Sequence, residues 1–320
     1  QYQGVTTGSA GYYAAAPGLD YTTGLPDAIY GDSLWVNLFD PQYVGVDVDA
    51  LLVPYYTASP ETKSTDIGIY VSDQIDIDSW SITLGARYDD SKSETSGSSQ
   101  KDSEVSLSAG IIYKFNNGLS PYINYAESFE PVIGEDGQGG LLEAQRGEQI
   151  ELGIKYLPTA FEGFFTLAWF DIEQTNLSDP SGTPNLYEQQ SGKAKIQGVE
   201  FESLSVFGDF TLEVNASKLD TESAEGFKLD SVPETQASAW LGYKASGKLE
   251  GFKSGFGIRY NGESYDGTDT YRTPSYTLAD FMIGYEINQW DFALNLRNLT
   301  DKSYYATCLG RGDCFPGEER

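Results

Sequence analysis

The sequence contains no histidine, two cysteines, one methionine and only 20 Lys+Arg against 48 Asp+Glu. Each scarcity removes a class of function. Without histidine the chain lacks the usual metal ligand and the usual general base. A Ser–His pair is impossible within it, so neither a catalytic residue nor a metal ligand is assigned. A net charge of −28 argues against a nucleic-acid partner, whose phosphates would be repelled. The acidic excess serves solubility or reflects a saline habitat. No window approaches 18 consecutive apolar residues, which excludes a helical membrane span. Gln1-Tyr2-Gln3-Gly4-Val5 is neither charged nor followed by an apolar core, so no signal peptide is expected and the chain is read as starting within a longer one. Cys308 and Cys314, close together in one loop, suggest a single local disulfide and an oxidising compartment.

What is present is alternation. Hydrophobic residues are only 39%, but aromatics reach 14% with 23 Tyr, and Gly numbers 35. A transmembrane barrel needs one apolar face per strand and aromatic girdles at the two interfaces, which is the composition seen. Phe256, Ile258 and Tyr260 alternate with Gly255, Gly257, Arg259 and Asn261; Phe281, Ile283, Tyr285 and Ile287 follow, then Phe292, Leu294 and Leu296 after a tight turn at Asn288-Gln289. Val105, Leu107, Ala109 and Ile111 form the cleanest such face, and Asn116-Asn117-Gly118 reads as a hairpin turn. Turns of roughly two to six residues alternate with loops of roughly ten to twenty, and residues 66–299 make about twelve strands of about ten residues each. Residues 91–102 and 179–193 read as outer loops, and 1–65 as a long external loop after the end of a strand, with a small soluble subdomain as its alternative. A soluble sandwich or propeller also has short alternating strands, but the asymmetry of turns and loops and the lack of a blade-length repeat favour the membrane. The fold class is therefore all-β, a transmembrane antiparallel up-and-down β-barrel. Val105, Leu107, Ala109, Ile111, Leu212, Val214, Phe256, Ile258, Phe292 and Leu294 are expected to face lipid, while Glu200, Glu202, Glu213, Lys155 and Arg259 face a wet lumen. Acidic loop stretches such as 220–225 are read as solvated tips rather than calcium sites.

Several stretches carry a resemblance. They are Gly68-Ile69-Tyr70-Val71-Ser72-Asp73-Gln74, Thr83-Leu84-Gly85-Ala86-Arg87-Tyr88-Asp89, Ser120-Pro121-Tyr122-Ile123-Asn124-Tyr125, Glu148-Gln149-Ile150-Glu151-Leu152-Gly153, Gly198-Val199-Glu200-Phe201-Glu202, and Asn295-Leu296-Arg297-Asn298-Leu299-Thr300-Asp301-Lys302. In this order the sequence resembles the TonB-dependent ferric-siderophore receptors of Gram-negative outer membranes, in particular the hydroxamate (ferrichrome-type) branch. The resemblance implies the C-terminal part, 66–320, of an expected 22-stranded barrel closed by a plug. The plug, its energy-coupling box and the closing strand are expected outside this chain. It also implies the function of binding a ferric siderophore outside the cell and importing it with energy from the TonB–ExbB–ExbD system, acting through the plug. The barrel would be monomeric and surrounded by outer-membrane lipid and lipopolysaccharide. The siderophore is cargo, and no resident cofactor is implied. An aromatic, polar-rimmed cup suits such a rigid ligand. Its candidates are Phe315, Tyr305, Tyr271, Tyr265, Phe129 and Tyr125, with a membrane girdle as the alternative reading for Tyr125 and Phe129. A passive porin, or a transporter of haem or cobalamin, is the rival.

Overall fold

A computed structural model describes residues 19–20, 25–26, 62–95, 98–132, 142–180, 188–309 and 313–318. The chain divides into two compact units, Gln1–Thr65 with Lys92–Lys101, and Asp66–Ser91 with Asp102–Arg320. In the first, β1 (Leu19–Asp20) pairs with β2 (Leu25–Pro26). The rest of the expectation for 1–65 lies largely outside the described residues.

The remaining strands are β3 (Thr62–Ile77), β4 (Trp80–Thr95), β5 (Ser98–Tyr113), β6 (Leu119–Glu130), β7 (Gln145–Tyr156), β8 (Glu162–Pro180), β9 (Glu188–Phe207), β10 (Phe210–Glu222), β11 (Thr235–Lys244) and β12 (Phe252–Asn261). After them come β13 (Ser264–Tyr265), β14 (Arg272–Thr273), β15 (Tyr276–Ile287), β16 (Trp290–Leu296), β17 (Tyr305–Cys308) and β18 (Cys314–Pro316). Twelve of them form one sheet, in the order β16-β15-β12-β11-β10-β9-β8-β7-β6-β5-β4-β3. Sequence neighbours are sheet neighbours throughout, apart from the small β13–β14 hairpin inserted between β12 and β15. The paired strands run antiparallel, the meander expected of an up-and-down barrel. Tight turns at one end are fixed by residues that tolerate positive φ: Asp78 (52°), Gly208 (60°) and Asn288 (52°).

The strands are longer than a membrane crossing requires, and two expected loops are shorter. β4 and β5 have 16 residues each and continue through the polar stretch read as an outer loop, 91–102. β8 has 19 and β9 has 20, so the pairing runs deep into 179–193. Alternation of apolar with polar residues stops where the strand leaves lipid, but the backbone ladder does not depend on it. Polar strand ends remain paired, and loss of pattern therefore marks the membrane boundary rather than the strand end.

The register shows two unlike faces. Ile111, Ile123, Leu152, Trp169 and Val199 stand opposite one another on successive strands, as do Leu212, Leu241, Phe256 and Phe281 further along. The ten residues expected to face lipid all lie on this face, and Phe292 and Leu294 remain 58% and 56% exposed. So continuous a row of exposed apolar side chains is the lipid-facing surface of a membrane barrel. The opposite face carries Glu151, Glu200, Glu202, Glu213, Lys155 and Arg259, with a small packed layer at Ala168, Phe170 and Leu278.

Candidate ligand-binding site

At the long-loop end, three segments fold onto one another: 223–234, 262–275 and the chain after β16. The β11–β12 ladder extends first into the loops, since the Gly262 N–H donates to the Thr235 carbonyl (2.7 Å) and the Glu234 N–H to Glu263 (3.0 Å). Asp230 then bridges Tyr265 in parallel, and the Ser231 N–H donates to the Tyr265 carbonyl at 2.9 Å. The Lys228 N–H donates to Asp269 Oδ1 at 3.1 Å. The Lys228 ammonium reaches Asp220 at 2.6 Å and Glu234 at 3.1 Å, and these bonds, that to Asp220 foremost, raise its pKa above the usual lysine value.

The loop 262–275 is built around Asp266. Its carboxylate is buried and accepts from the N–H groups of Thr268, Thr270 and Tyr271, each at 3.1 Å, and from the Thr268 hydroxyl at 2.9 Å. Burial pushes this carboxyl up, but the Thr268 hydroxyl and the three amides outweigh it, and its pKa stands below the usual aspartate value. The turn so closed presents Tyr271 to solvent, 47% exposed, beside the β13–β14 pair Tyr265–Arg272. Arg272 spans that hairpin to Glu263 at 2.9 Å.

After β16 the chain is turned by Asn298. Its φ is 47°, a conformation that Asn accepts better than most side chains. Its N–H donates to Asp280 Oδ1 at 3.0 Å, its amide donates to the carbonyls of Lys302 (2.9 Å) and Glu318 (3.2 Å), and its side-chain oxygen accepts from the Lys302 N–H at 2.9 Å. Asp280 also holds Arg259 through two bonds, at 2.5 and 3.0 Å. One asparagine thus joins the sheet wall to the segment leading into β17 and β18. There Cys308 and Cys314 are disulfide-bonded, with an S–S length of 2.10 Å, closing the hairpin that exposes Tyr305 and Phe315.

Of the six aromatic candidates, Tyr265, Tyr271, Tyr305 and Phe315 come from the segments of this loop cluster. Tyr125 and Phe129 do not. They lie on β6, with β7 to β10 intervening before β11, and share the apolar face with Ile123, opposite Ile150 and Arg146. The Tyr125 hydroxyl donates to Glu127 at 2.6 Å. Near the outer end of a strand and on that face, a ring suits a girdle. The sequence pointed to none of Asp266, Thr273, Asp280 or Asn298. Only Asn298, within a stretch that carried the resemblance, had any signal at all.

The wall beneath offers a shallow recess of about 530 Å³ whose lining draws on both faces, Glu200, Glu202 and Arg259 from one and Phe201, Ala216 and Tyr260 from the other. The side chains of Glu200, Glu202 and Glu213 make no hydrogen bond or ion pair among the described residues. Trp240 lies flat over Gly255 and Gly257, where an added Cβ would stand 2.2 and 2.5 Å from the indole. The two glycines therefore keep the ring low against the wall.

An antiparallel sheet with one apolar exposed face, one charged face, tight turns at one end and long folded loops at the other is the wall of an outer-membrane β-barrel. Over residues 1–299 the sequence matches the family described as TonB dependent receptor-like, beta-barrel, and the chain belongs to that family. It is 34% identical over 339 residues to the ferrioxamine B receptor of Salmonella typhimurium, covering 100% of this chain and 45% of the relative. It is 32% identical over 317 residues to the ferrichrome outer membrane transporter/phage receptor of Escherichia coli, covering 91% of this chain and 42% of the relative. The chain thus spans less than half the length of these relatives. Among solved structures, the ferripyoverdine receptor of Pseudomonas aeruginosa matches with a TM-score of 0.72 at 24% identity, over 82% of this chain and 38% of that one, which supports the fold.

Proposed function

We propose that this chain is the C-terminal part of the barrel of an outer-membrane receptor that binds a ferric siderophore of the hydroxamate type and imports it with TonB-derived energy. The observation that carries the reading is identity above 30% to a ferrioxamine B receptor along the entire chain, the loop cluster included. Ferrioxamine and ferrichrome are both hydroxamates, and a shared ligand chemistry is the simplest common factor of these relatives. The four cluster aromatics, with Arg272 and Glu263 nearby, supply the apolar surface and polar rim that a rigid, iron-saturated ligand requires. The siderophore already fills the iron's coordination sphere, so the protein acts as a receptor and not as an enzyme, and holds no cofactor of its own.

In this reading residues 1–65 form an outer loop, and the whole receptor is a monomeric barrel in lipid and lipopolysaccharide. Its plug couples to the TonB–ExbB–ExbD system. Titrating the full-length receptor with ferric ferrioxamine or ferrichrome should quench its Trp and Tyr fluorescence at micromolar concentration, about −8 kcal/mol. Absence of quenching by ferric hydroxamates, with haem or cobalamin binding instead, would replace the ligand class. Ion conductance through the unliganded protein would favour a porin.

A further inference from the structure

The contacts among the three loops close into a circuit. The Cys308 N–H points out of its own two-strand ladder and donates to the Thr273 hydroxyl at 2.9 Å. Both residues are buried, Thr273 at 2% and Cys308 at 5% exposure. Thr307, next to Cys308, shares a hydrogen bond of 2.5 Å between its hydroxyl and that of Ser231. The Ser231 N–H holds the carbonyl of Tyr265, and Tyr265 pairs with Arg272, the neighbour of Thr273. The path therefore runs from Cys308 through Thr273, Arg272, Tyr265, Ser231 and Thr307 back to Cys308. The hairpin's links to the other two loops, Cys308 to Thr273 and Thr307 to Ser231, are one bond each, whereas those two loops are joined to each other by several contacts, among them Asp230–Tyr265, Lys228–Asp269 and Glu234–Glu263.

The Cys308–Cys314 bond fixes one corner of this circuit. It holds Cys308 opposite Cys314 and so sets where the Cys308 N–H can point. Without the Thr273 oxygen that buried N–H loses its acceptor, a cost greater than that of an exposed bond. We infer that Thr273 is the positioning residue through which the disulfide hairpin fixes the loop bearing Tyr265 and Tyr271, so that the disulfide sets the geometry of all three loops and not only of its own. A disulfide closing so short a ring has little to constrain beyond itself unless its hairpin is bonded elsewhere. Thr273 supplies the buried bond of that kind, and the Ser231–Thr307 hydroxyl pair an exposed one.

The test is amide hydrogen exchange on the full-length receptor in detergent, with and without reductant. Reducing the wild-type protein should speed exchange across 229–233 and 264–273 as well as 305–316, by about tenfold or more for amides whose bonds are lost. Thr273→Val should reproduce the loosening of 229–233 and 264–273 without reductant, Thr273→Ser should restore protection, and reducing Thr273→Val should add nothing in 264–273. Loosening confined to 305–316 on reduction, with 264–273 unchanged, would overturn the inference. The reduction arm uses the wild-type protein, so unchanged exchange in 264–273 overturns the inference even if a variant misfolds. The accompanying loss of ferric hydroxamate affinity rests on the siderophore reading above. Coupled exchange in a protein that binds no ferric hydroxamate would remove that reading and leave the coupling standing.

Discussion

Within the sheet, each inner strand is bonded to two neighbours along its length, and β9 alone pairs with β10 at thirteen successive positions from Phe207 to Lys195. In the loop cluster above it, three segments meet through scattered contacts: the Ser231–Thr307 hydroxyl bond, the Cys308 N–H to Thr273, the Asp230–Tyr265 bridge with its Ser231 N–H bond, and the Lys228 and Glu234 N–H bonds to Asp269 and Glu263, while the disulfide closes a hairpin within one of them. The first kind of structure is redundant, and loss of one contact leaves many others. The second rests on a few individually placed bonds, and its disulfide hairpin is tied to each of the other two loops by one. Regions that must hold a particular ligand are commonly of this second kind, because specificity needs individually placed groups, whereas a membrane wall needs only the correct face outward.

The contrast can be broken most forcefully from the sheet side. Leu152 lies on the apolar face between Ile123 and Trp169 and is 46% exposed to what is lipid in the membrane. Leu152→Arg should cost about 2–4 kcal/mol if the position lies near the midplane. Folding into lipid vesicles, followed by the heat-induced shift of the barrel on gels, would register it. A neutral outcome would mean that this face does not meet lipid.

Next is Asn298→Ala. It removes three side-chain hydrogen bonds and places a residue poorly suited to φ 47°. The expected loss is about 1–3 kcal/mol, confined to the segment from Asn298 to Glu318. Limited proteolysis should cut there first while the twelve strands stay resistant. Simultaneous loss of the strands would show that the cluster and the wall are one cooperative unit.

These two positions also mark what was readable from sequence. Leu152 is legible because it alternates with Glu151 and Gly153, and period two exposes a face whatever the neighbouring strand is. The same rule placed Phe256, Ile258, Phe292 and Leu294. It failed at 91–102, where β4 and β5 continue as polar strands, since hydrogen bonding and not apolarity extends a ladder beyond the membrane. It also missed β13 and β14, of two residues each, too short for any period. The aromatic candidates divide in the same way. Composition finds aromatic rings in and beside loops, but only the register separates Tyr125 and Phe129, on the apolar face, from Tyr265 and Tyr271, on a hairpin bonded to another loop. The role of Thr273 rests on a contact to Cys308 across 35 positions, and no local pattern announces it.

Acid should separate the two regions without mutation. The folded pKa of Asp266 lies below its unfolded value of about 3.9, so its contribution is full above that value and is lost as pH falls through the folded pKa. Below about pH 4, exchange in 264–273 should therefore begin to rise while strand amides keep their protection, once the intrinsic pH dependence of exchange is removed. Asp266→Asn should loosen the same loop at neutral pH and flatten its acid response. An acid response unchanged in that variant would assign it to another carboxylate.

The smallest effect on the wall, and the sharpest on the cluster, is expected from Cys308→Ser. The ring closed by Cys308 and Cys314 has a sequence separation of 6, for which loop entropy gives only about 2–3 kcal/mol. That contribution belongs to β17 and β18, which form a two-stranded sheet of their own and share no ladder with the twelve-stranded sheet. The thermal transition of the strands should therefore stay where it is. Capture of a ferric hydroxamate should nevertheless weaken, because Tyr305 and Phe315 sit on the freed hairpin and the Thr273 bond that holds Tyr265 and Tyr271 in place depends on it. Calorimetry of the receptor beside a fluorescence titration separates the two quantities. If the strands melted earlier in step with the loss of binding, the hairpin would be part of the wall's own stability. The distinction between a redundant wall and a sparsely bonded rim would then fail at the covalent bond that closes the rim's own hairpin.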